Sequence, residues 1–540
     1  MYLQFFRASF LANIGRKQHS LYVELEARRG TIYDSNQKPE AVNIATDSVY
    51  AAPNEMKDKD KEAAIRQLSP VLNISESSLR NKIYRKKYFV WIQRKISAQQ
   101  AQQIRQLKIK GIDFIKESKR CYPNAYLASQ VIGFAGLDNQ GLEGLELYYD
   151  KYLKGKNGFA LFLRDARQKK LDLKDKTLAP RDGYDLELTI DEVIQYIAER
   201  ELDNSFRVNK ARGASIIVME PHTGEILAMA SRPTYDLNEY SKVDREQVRN
   251  RAICDMFEPG SVFKVVAASA ALEEKMASEH DKFFCENGAY RVGNHILHDH
   301  TPHGWLTFTE VVEQSSNIGT TKIAQLIGPD MLYKYVRKFG FGTKTGIDMR
   351  GEINGSIKEP RFWSKTSIGA IPIGHEVGVT ALQLACAYSA IANGGKLMKP
   401  YIVKSIKDKF GQVIKSFSPV VVNQVISADT SARMRKILTG VIEEGTGKMA
   451  KMEGFSAAGK TGTAQKIEPG GKYSHNKFIG SFIGFAPAEE PLITIVVTID
   501  EPRPYYYGGV VAAPVFQKVA ADVLKYLRTK QLPDESYASN

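Results

Sequence analysis

The sequence predicts an α+β protein in two parts: a C-terminal domain in which helices cover an antiparallel sheet, with a serine on a central helix, and a separate N-terminal module. Length is the first reason, since 540 residues exceed what one hydrophobic core accommodates. Apolar, strand-like stretches then fall at both ends of the C-terminal part. These are Ala214–Met219 with Glu225–Ala230, and Phe478–Ala486 with Leu492–Ile499, with helix-favouring sequence between the pairs. Finally, Lys169–Arg181 is polar, rich in charge and carries Pro180 near its end. That is linker composition, and it predicts that few core contacts cross it. The expected divisions are a leading segment 1–20, a non-catalytic module 21–180, a catalytic domain 185–530 and a flexible tail 531–540.

Taken in order, residues 1–20 suit an amphipathic helix, and Arg28–Asp34 reads as a strand entering a turn at Asn36-Gln37-Lys38-Pro39. Glu62–Leu68 and Ala98–Leu107 favour helix. Asp185–Ile190 alternates as a strand, Glu192–Leu202 as a helix, and Pro221-His222-Thr223-Gly224 turns a hairpin between two apolar strands. Val511–Leu527 closes the chain as a helix. No run reaches the roughly 18 apolar residues of a membrane span. Charge is uneven: residues 1–180 hold 32 Lys and Arg against 19 Asp and Glu, and the rest 43 against 42. Without a recognition motif this basic excess excludes a nucleic-acid reading, leaving an anionic membrane or cell-wall surface, or plain solvation. Cys121, Cys254, Cys285 and Cys386 are scattered, so neither a disulfide framework nor a zinc ribbon follows.

Chemistry gathers at Glu258-Pro259-Gly260-Ser261-Val262-Phe263-Lys264. Pro259 and Gly260 belong outside a helix, whereas Val265–Leu272 is apolar on every face, so Ser261 is expected at a helix start with Lys264 one turn on. A serine needs a base to become a nucleophile. A desolvated lysine can serve as that base, and positions three apart meet on one helix face. Two other copies of the spacing, Ser35-Asn36-Gln37-Lys38 and Ser474-His475-Asn476-Lys477, read as solvated loops.

Ser315-Ser316-Asn317 and Lys460-Thr461-Gly462-Thr463 follow in that order. With these three motifs the chain resembles the class B penicillin-binding proteins, and among them the division-type (septal) peptidoglycan D,D-transpeptidases. The Arg28–Asp34 segment and the Gly141–Tyr149 stretch, with its repeated Gly-Leu-Glu, resemble motifs of that family's N-terminal module. Ser-x-Asn at the second motif, where elongation-type relatives commonly have Ser-x-Asp, favours the division type.

The resemblance implies the penicillin-binding transpeptidase fold on an elongated, dimerisation-type pedestal. It implies a reaction in which Ser261 forms an acyl-enzyme at D-Ala-D-Ala. Lys264 would be the general base, Ser315 a proton relay, Asn317 an orienting group and Lys460 an electrostatic one. Thr461, Gly462 and Thr463 would lie on an edge strand. There Gly462 would let the substrate backbone approach, the threonine hydroxyls would bind the terminal carboxylate, and the Thr463 N–H would join that of Ser261 in an oxyanion hole. No cofactor or metal is implied. Implied partners are stem peptides, β-lactams, a septal glycan polymerase, other division proteins and the membrane, through an anchor that this sequence does not display. The implied site of action is the extracytoplasmic face of the bacterial cytoplasmic membrane.

Two motifs compete for attention. Lys344-Thr345-Gly346 repeats Lys-Thr-Gly, but in a glycine-rich turn that reads as structural. His295, His298, His300 and His303, with Cys285 nearby, have residue types that bind zinc, although Asp299, Pro302 and Gly304 mark an exposed loop there. A β-lactamase would pass the acyl group to water, and no segment identifies the glutamate that class A enzymes use for this. A β-lactam sensor would keep all three motifs and add a signalling domain, which the sequence does not contain.

Overall fold

The computed structural model describes residues 20–164, 170–171, 177–468 and 470–531. The expected helix at 1–20 and tail at 531–540 lie outside the described residues except at their inner ends, where Ser20 opens a strand and Gln531 ends the closing helix; part of the linker also lies outside them. Among the described residues no helix is long and apolar enough to cross a membrane.

The catalytic part is organised by a five-stranded antiparallel sheet in the order Ile226–Arg232, Gly213–Met219, Ile493–Asp500, Tyr473–Ala486, Ala458–Ile467. Its inner strands Gly213–Met219 and Ile493–Asp500 are buried on both sides because both faces are covered. Ile217, Met219, Ile483, Phe485 and Val496 face a core shared with the helix Lys264–Glu273, which follows the Ser261 turn. Their neighbours Ile216, Val218, Phe482, Ile495 and Val497 face a second core. That core is closed by the helices Glu192–Val208 and Ala513–Gln531. The expected hairpin, both late strands and the closing helix are present, the last preceded by a short turn of helix at Gly508–Val511. Ser35 lies in a turn as read, but Ser474 does not. It is buried within the strand Tyr473–Ala486, which runs longer than its polar start suggests because it pairs with the edge strand from Ile467 onward.

In the N-terminal part, helices Asp58–Leu72 and Ala98–Leu107 pack on a sheet of Pro39–Ala51, Val90–Ile96 and Ile112–Cys121. The expectation that few core contacts cross the linker does not hold. Asp185–Leu188 pairs in parallel with Ile32–Tyr33 on one side and antiparallel with Val403–Lys407 on the other, so one seven-stranded sheet runs through both parts. Ile32, Tyr122, Val131 and Leu145 belong to the same core as the catalytic helix. Sequence composition registers a polar linker but carries no information about strand pairing across it.

A buried ionic knot fixes this junction. Arg29 donates through Nε to Glu146 Oε2 at 2.5 Å and through Nη1 to Asp150 at 2.6 Å, while Arg120 Nε donates to Glu146 Oε1 at 2.6 Å. Burial would raise the Glu146 carboxyl, but the Arg120 and Arg29 charges hold it below its usual range. The family-like Arg28–Asp34 and Gly-Leu-Glu segments are therefore structural, each supplying one side of the knot. Glu146→Gln, which leaves two buried guanidiniums short of a counter-charge, is expected to cost about 3–5 kcal/mol in denaturant unfolding. An unchanged unfolding midpoint would contradict the assignment.

Candidate active site

The chain turns at Pro259, and Gly260, at φ +61°, starts a tight helical turn, Gly260–Phe263, that runs directly into Lys264–Glu273. The turn is tied down from two sides. Tyr388 donates its hydroxyl to the Val262 carbonyl at 2.8 Å, and Glu258 accepts from the Glu376 N–H at 2.8 Å while contacting His375 Nδ1 at 2.9 Å. Because the helix is apolar all round and buried from Lys264 to Leu272, the Lys264 ammonium has no route to water along its own element.

Lys264 Nζ donates to the Ser315 carbonyl at 2.5 Å, to Ser315 Oγ at 3.1 Å and to Asn317 Oδ1 at 2.8 Å. The Ser261 hydroxyl is half-buried, and among the described residues no hydrogen bond joins it to Lys264. Burial pushes Lys264 down to about 7, against the opposing pull of the Asp299 carboxylate. Ser315 reaches the amine from a left-handed conformation, φ +58°, uncommon for serine, at the break between the helices Phe308–Glu313 and Asn317–Ile327. Asn317 is oriented by donating from Nδ2 to the His298 carbonyl at 2.8 Å.

Lys460 comes from the edge strand Ala458–Ile467 and is fully buried. Its Nζ has no hydrogen-bond partner among the described residues. Burial, then repulsion from Lys264, holds its pKa well below the ordinary lysine value. The three motifs thus converge as the sequence leads one to expect, on one helix, one helix start and one sheet edge.

Gly462 is crowded from within the protein as well. A Cβ there would lie 2.4 Å from Ser481 Oγ and 2.9 Å from the Pro259 carbonyl and Val262 Cγ1, so the close approach it permits is that of the serine turn and the neighbouring strand. Gly260 repeats this from the other side, its Cβ position 2.9 Å from the Thr463 carbonyl. Thr463 Oγ1 accepts from the Gly508 N–H at 3.0 Å, which leaves its own hydrogen free to donate. Thr461 Oγ1 and Thr446 Oγ1 share one hydrogen bond at 2.9 Å and so keep one hydrogen between them for another acceptor.

Lys344 is exposed, and Thr345 is held by Glu352 through its N–H and hydroxyl, each at 2.6 Å, so the second Lys-Thr-Gly serves its own turn. His295 and His298 lie on an exposed strand, and His300 Nε2 meets the Tyr507 hydroxyl at 3.2 Å. Among the described residues no three side chains gather that could hold a metal. Sequence reasoning missed Tyr388, Glu258 with His375, and above all Asp299, which it read only as a loop marker. Its neighbours, histidines with a proline and a glycine, carry no signal that sets it apart.

Residues 214–521 match the family model described as the penicillin binding protein transpeptidase domain, and residues 24–188 the penicillin-binding protein dimerisation domain. The chain is 39% identical to stage V sporulation protein D of Bacillus subtilis, over 98% of this chain and 83% of that one. It is 32% identical to peptidoglycan D,D-transpeptidase FtsI of Escherichia coli, over 97% and 88%. The crystal structure of penicillin binding protein 3 from Mycobacterium tuberculosis complexed with ampicillin aligns with a TM-score of 0.74 at 29% identity, covering 95% of this chain and 98% of that one.

From this geometry, Lys460→Ala is expected to slow covalent labelling by a penicillin about a hundredfold or more, and Lys344→Ala to leave it nearly unchanged. Stopped-flow acylation measures both, and equal losses would show that the wrong Lys-Thr-Gly has been assigned.

Proposed function

The chain is a class B penicillin-binding protein of the division type, and on that premise we propose that it cross-links peptidoglycan stem peptides with Ser261 as nucleophile. The observation that carries the reading is the convergence of a helix-start serine, a fully buried lysine brought down to about 7, and a second buried lysine that has no hydrogen-bond partner among the described residues.

In the first half-reaction Ser261 Oγ attacks the carbonyl between the two D-alanines, and its proton passes to neutral Lys264. The N–H groups of Ser261 and Thr463 receive the oxyanion, each worth about 3 kcal/mol. The C–N bond then breaks, and the terminal D-alanine leaves with a proton delivered from Lys264 through Ser315, which hydrogen-bonds that amine. Lys460 and the free hydrogens of Thr461 and Thr463 receive the substrate's terminal carboxylate. In the second half-reaction the amine of another stem peptide attacks the ester, a new amide forms, and Ser261 regains its proton. A β-lactam enters the same first step but leaves no departing group, so the acyl-enzyme persists.

The same reading assigns residues 21–180 as the pedestal and 185–530 as the catalytic domain, joined by the shared sheet. It further assigns the site of action to the extracytoplasmic face of the cytoplasmic membrane, beside a septal glycan polymerase and other division proteins. An anchor upstream of the pedestal would hold it there.

Fluorescent penicillin labelling followed by mass mapping tests the nucleophile. The label is expected on the peptide carrying Ser261 and absent from Ser261→Ala. Label on Ser315, or none on folded protein, would overturn the assignment.

A further inference from the structure

We propose that Asp299 is a positioning residue for acylation, holding the Ser315–Asn317 loop against Lys264 and supplying the negative charge that faces that amine. The role rests on the reading of Lys264 as the general base. One carboxylate makes three contacts at the foot of one helix. Oδ1 accepts from the N–H groups of Asn317 at 2.5 Å and Ile318 at 3.0 Å, and Oδ2 from Ser316 Oγ at 2.7 Å. Ser316 in turn accepts from the Gly319 N–H at 2.9 Å as the helix cap, so Asp299 braces the cap itself.

The bracing matters because the loop it holds is not one that serine adopts freely. Ser315 stands at φ +58°, and from there its carbonyl and hydroxyl both reach Lys264. Asp299 also sits next to His298, whose carbonyl fixes the Asn317 amide, so both groups that orient the lysine depend on the same loop. Its carboxylate opposes the desolvation of Lys264 and keeps the ammonium form in reach. On the edge strand Lys460 carries a like charge, and Lys264 helps to hold it below the ordinary lysine value. The other ionisable groups around Asp299 are His298 and His300 on its own loop and Cys285, 3.4 Å from Ser316 Oγ. Lys322, further along the helix, is paired with Glu286 at 2.6 Å.

Two substitutions separate the parts of the role. Asp299→Asn keeps an oxygen for both backbone N–H groups and removes the charge, whereas Asp299→Ala removes both. With the charge gone the ammonium loses support, Lys264 gives up its proton more readily, and neutral base is present at lower pH. The rate of acylation of the full chain by fluorescent penicillin is measured from pH 5 to 10, with thermal unfolding alongside. For Asp299→Asn the acid limb is expected to move down by about one pH unit, with the alkaline plateau kept within about threefold. For Asp299→Ala the plateau is expected to fall about a hundredfold, as misplacement of a catalytic group does. An unmoved acid limb in Asp299→Asn overturns the electrostatic role, and a wild-type plateau in folded Asp299→Ala overturns the bracing role. Should Asp299→Ala not fold, Asp299→Glu takes its place: it keeps the charge but shifts the carboxylate by one methylene, and a wild-type plateau there overturns the bracing role. Wild-type label mapped away from Ser261 would instead overturn the reading of the site and this role with it.

Discussion

Two lysine side chains buried in one cleft are the constraint on which the rest of this structure depends. Bringing Lys264 from an ordinary 10.5 to about 7 corresponds to about 5 kcal/mol of disfavoured charge, and Lys460 is pushed the same way by burial and by its neighbour. A fold of modest stability tolerates such groups only where its architecture over-determines them. The Lys264 helix is therefore apolar on every face and enclosed on all sides, and the strand bearing Lys460 lies against the serine turn through Gly462 and Gly260. The partial compensation is equally specific: a carbonyl, a hydroxyl and an amide oxygen on Lys264, and no protein partner on Lys460 among the described residues.

Enclosure of that kind needs a rigid surround, and the surround extends beyond the catalytic domain. The sheet that includes Asp185–Leu188 passes from the catalytic part into the pedestal, and the Arg29–Glu146–Arg120 knot closes the pedestal side in a buried setting. Paired carboxylate and guanidinium groups stabilise little when compared with apolar packing, but removing one partner strands the others. The junction is thus specific in geometry.

Much of this was legible in the residues because the signals are local. Pro259 and Gly260 before an apolar run give the helix start, and a three-residue spacing gives Ser261 and Lys264 a common face. Two apolar stretches around Pro221–Gly224 give the hairpin. What stayed hidden depends on pairs distant in the chain. Asp299 acts on Ser316, Asn317 and Ile318 across a loop, and nothing in its neighbourhood distinguishes it from a solvated acid. Strand pairing between Ile32–Tyr33 and Asp185–Leu188 spans more than 150 residues and leaves no compositional trace. Gly462 was recognisable as a site of close approach, but not that the serine turn and Ser481 also crowd it. The burial of Ser474 follows from the length of a partner strand that its own polar surroundings do not reveal.

The central claim is that enclosure alone makes Lys264 a base near neutrality. Its most direct test is an NMR titration of the intact protein carrying ¹³C-labelled lysine, with the Lys264 Cε signal assigned through Lys264→Arg. The account predicts that this signal titrates near about 7, several units below the exposed lysines. A Lys264 signal that titrates with them, near 10.5, would contradict it.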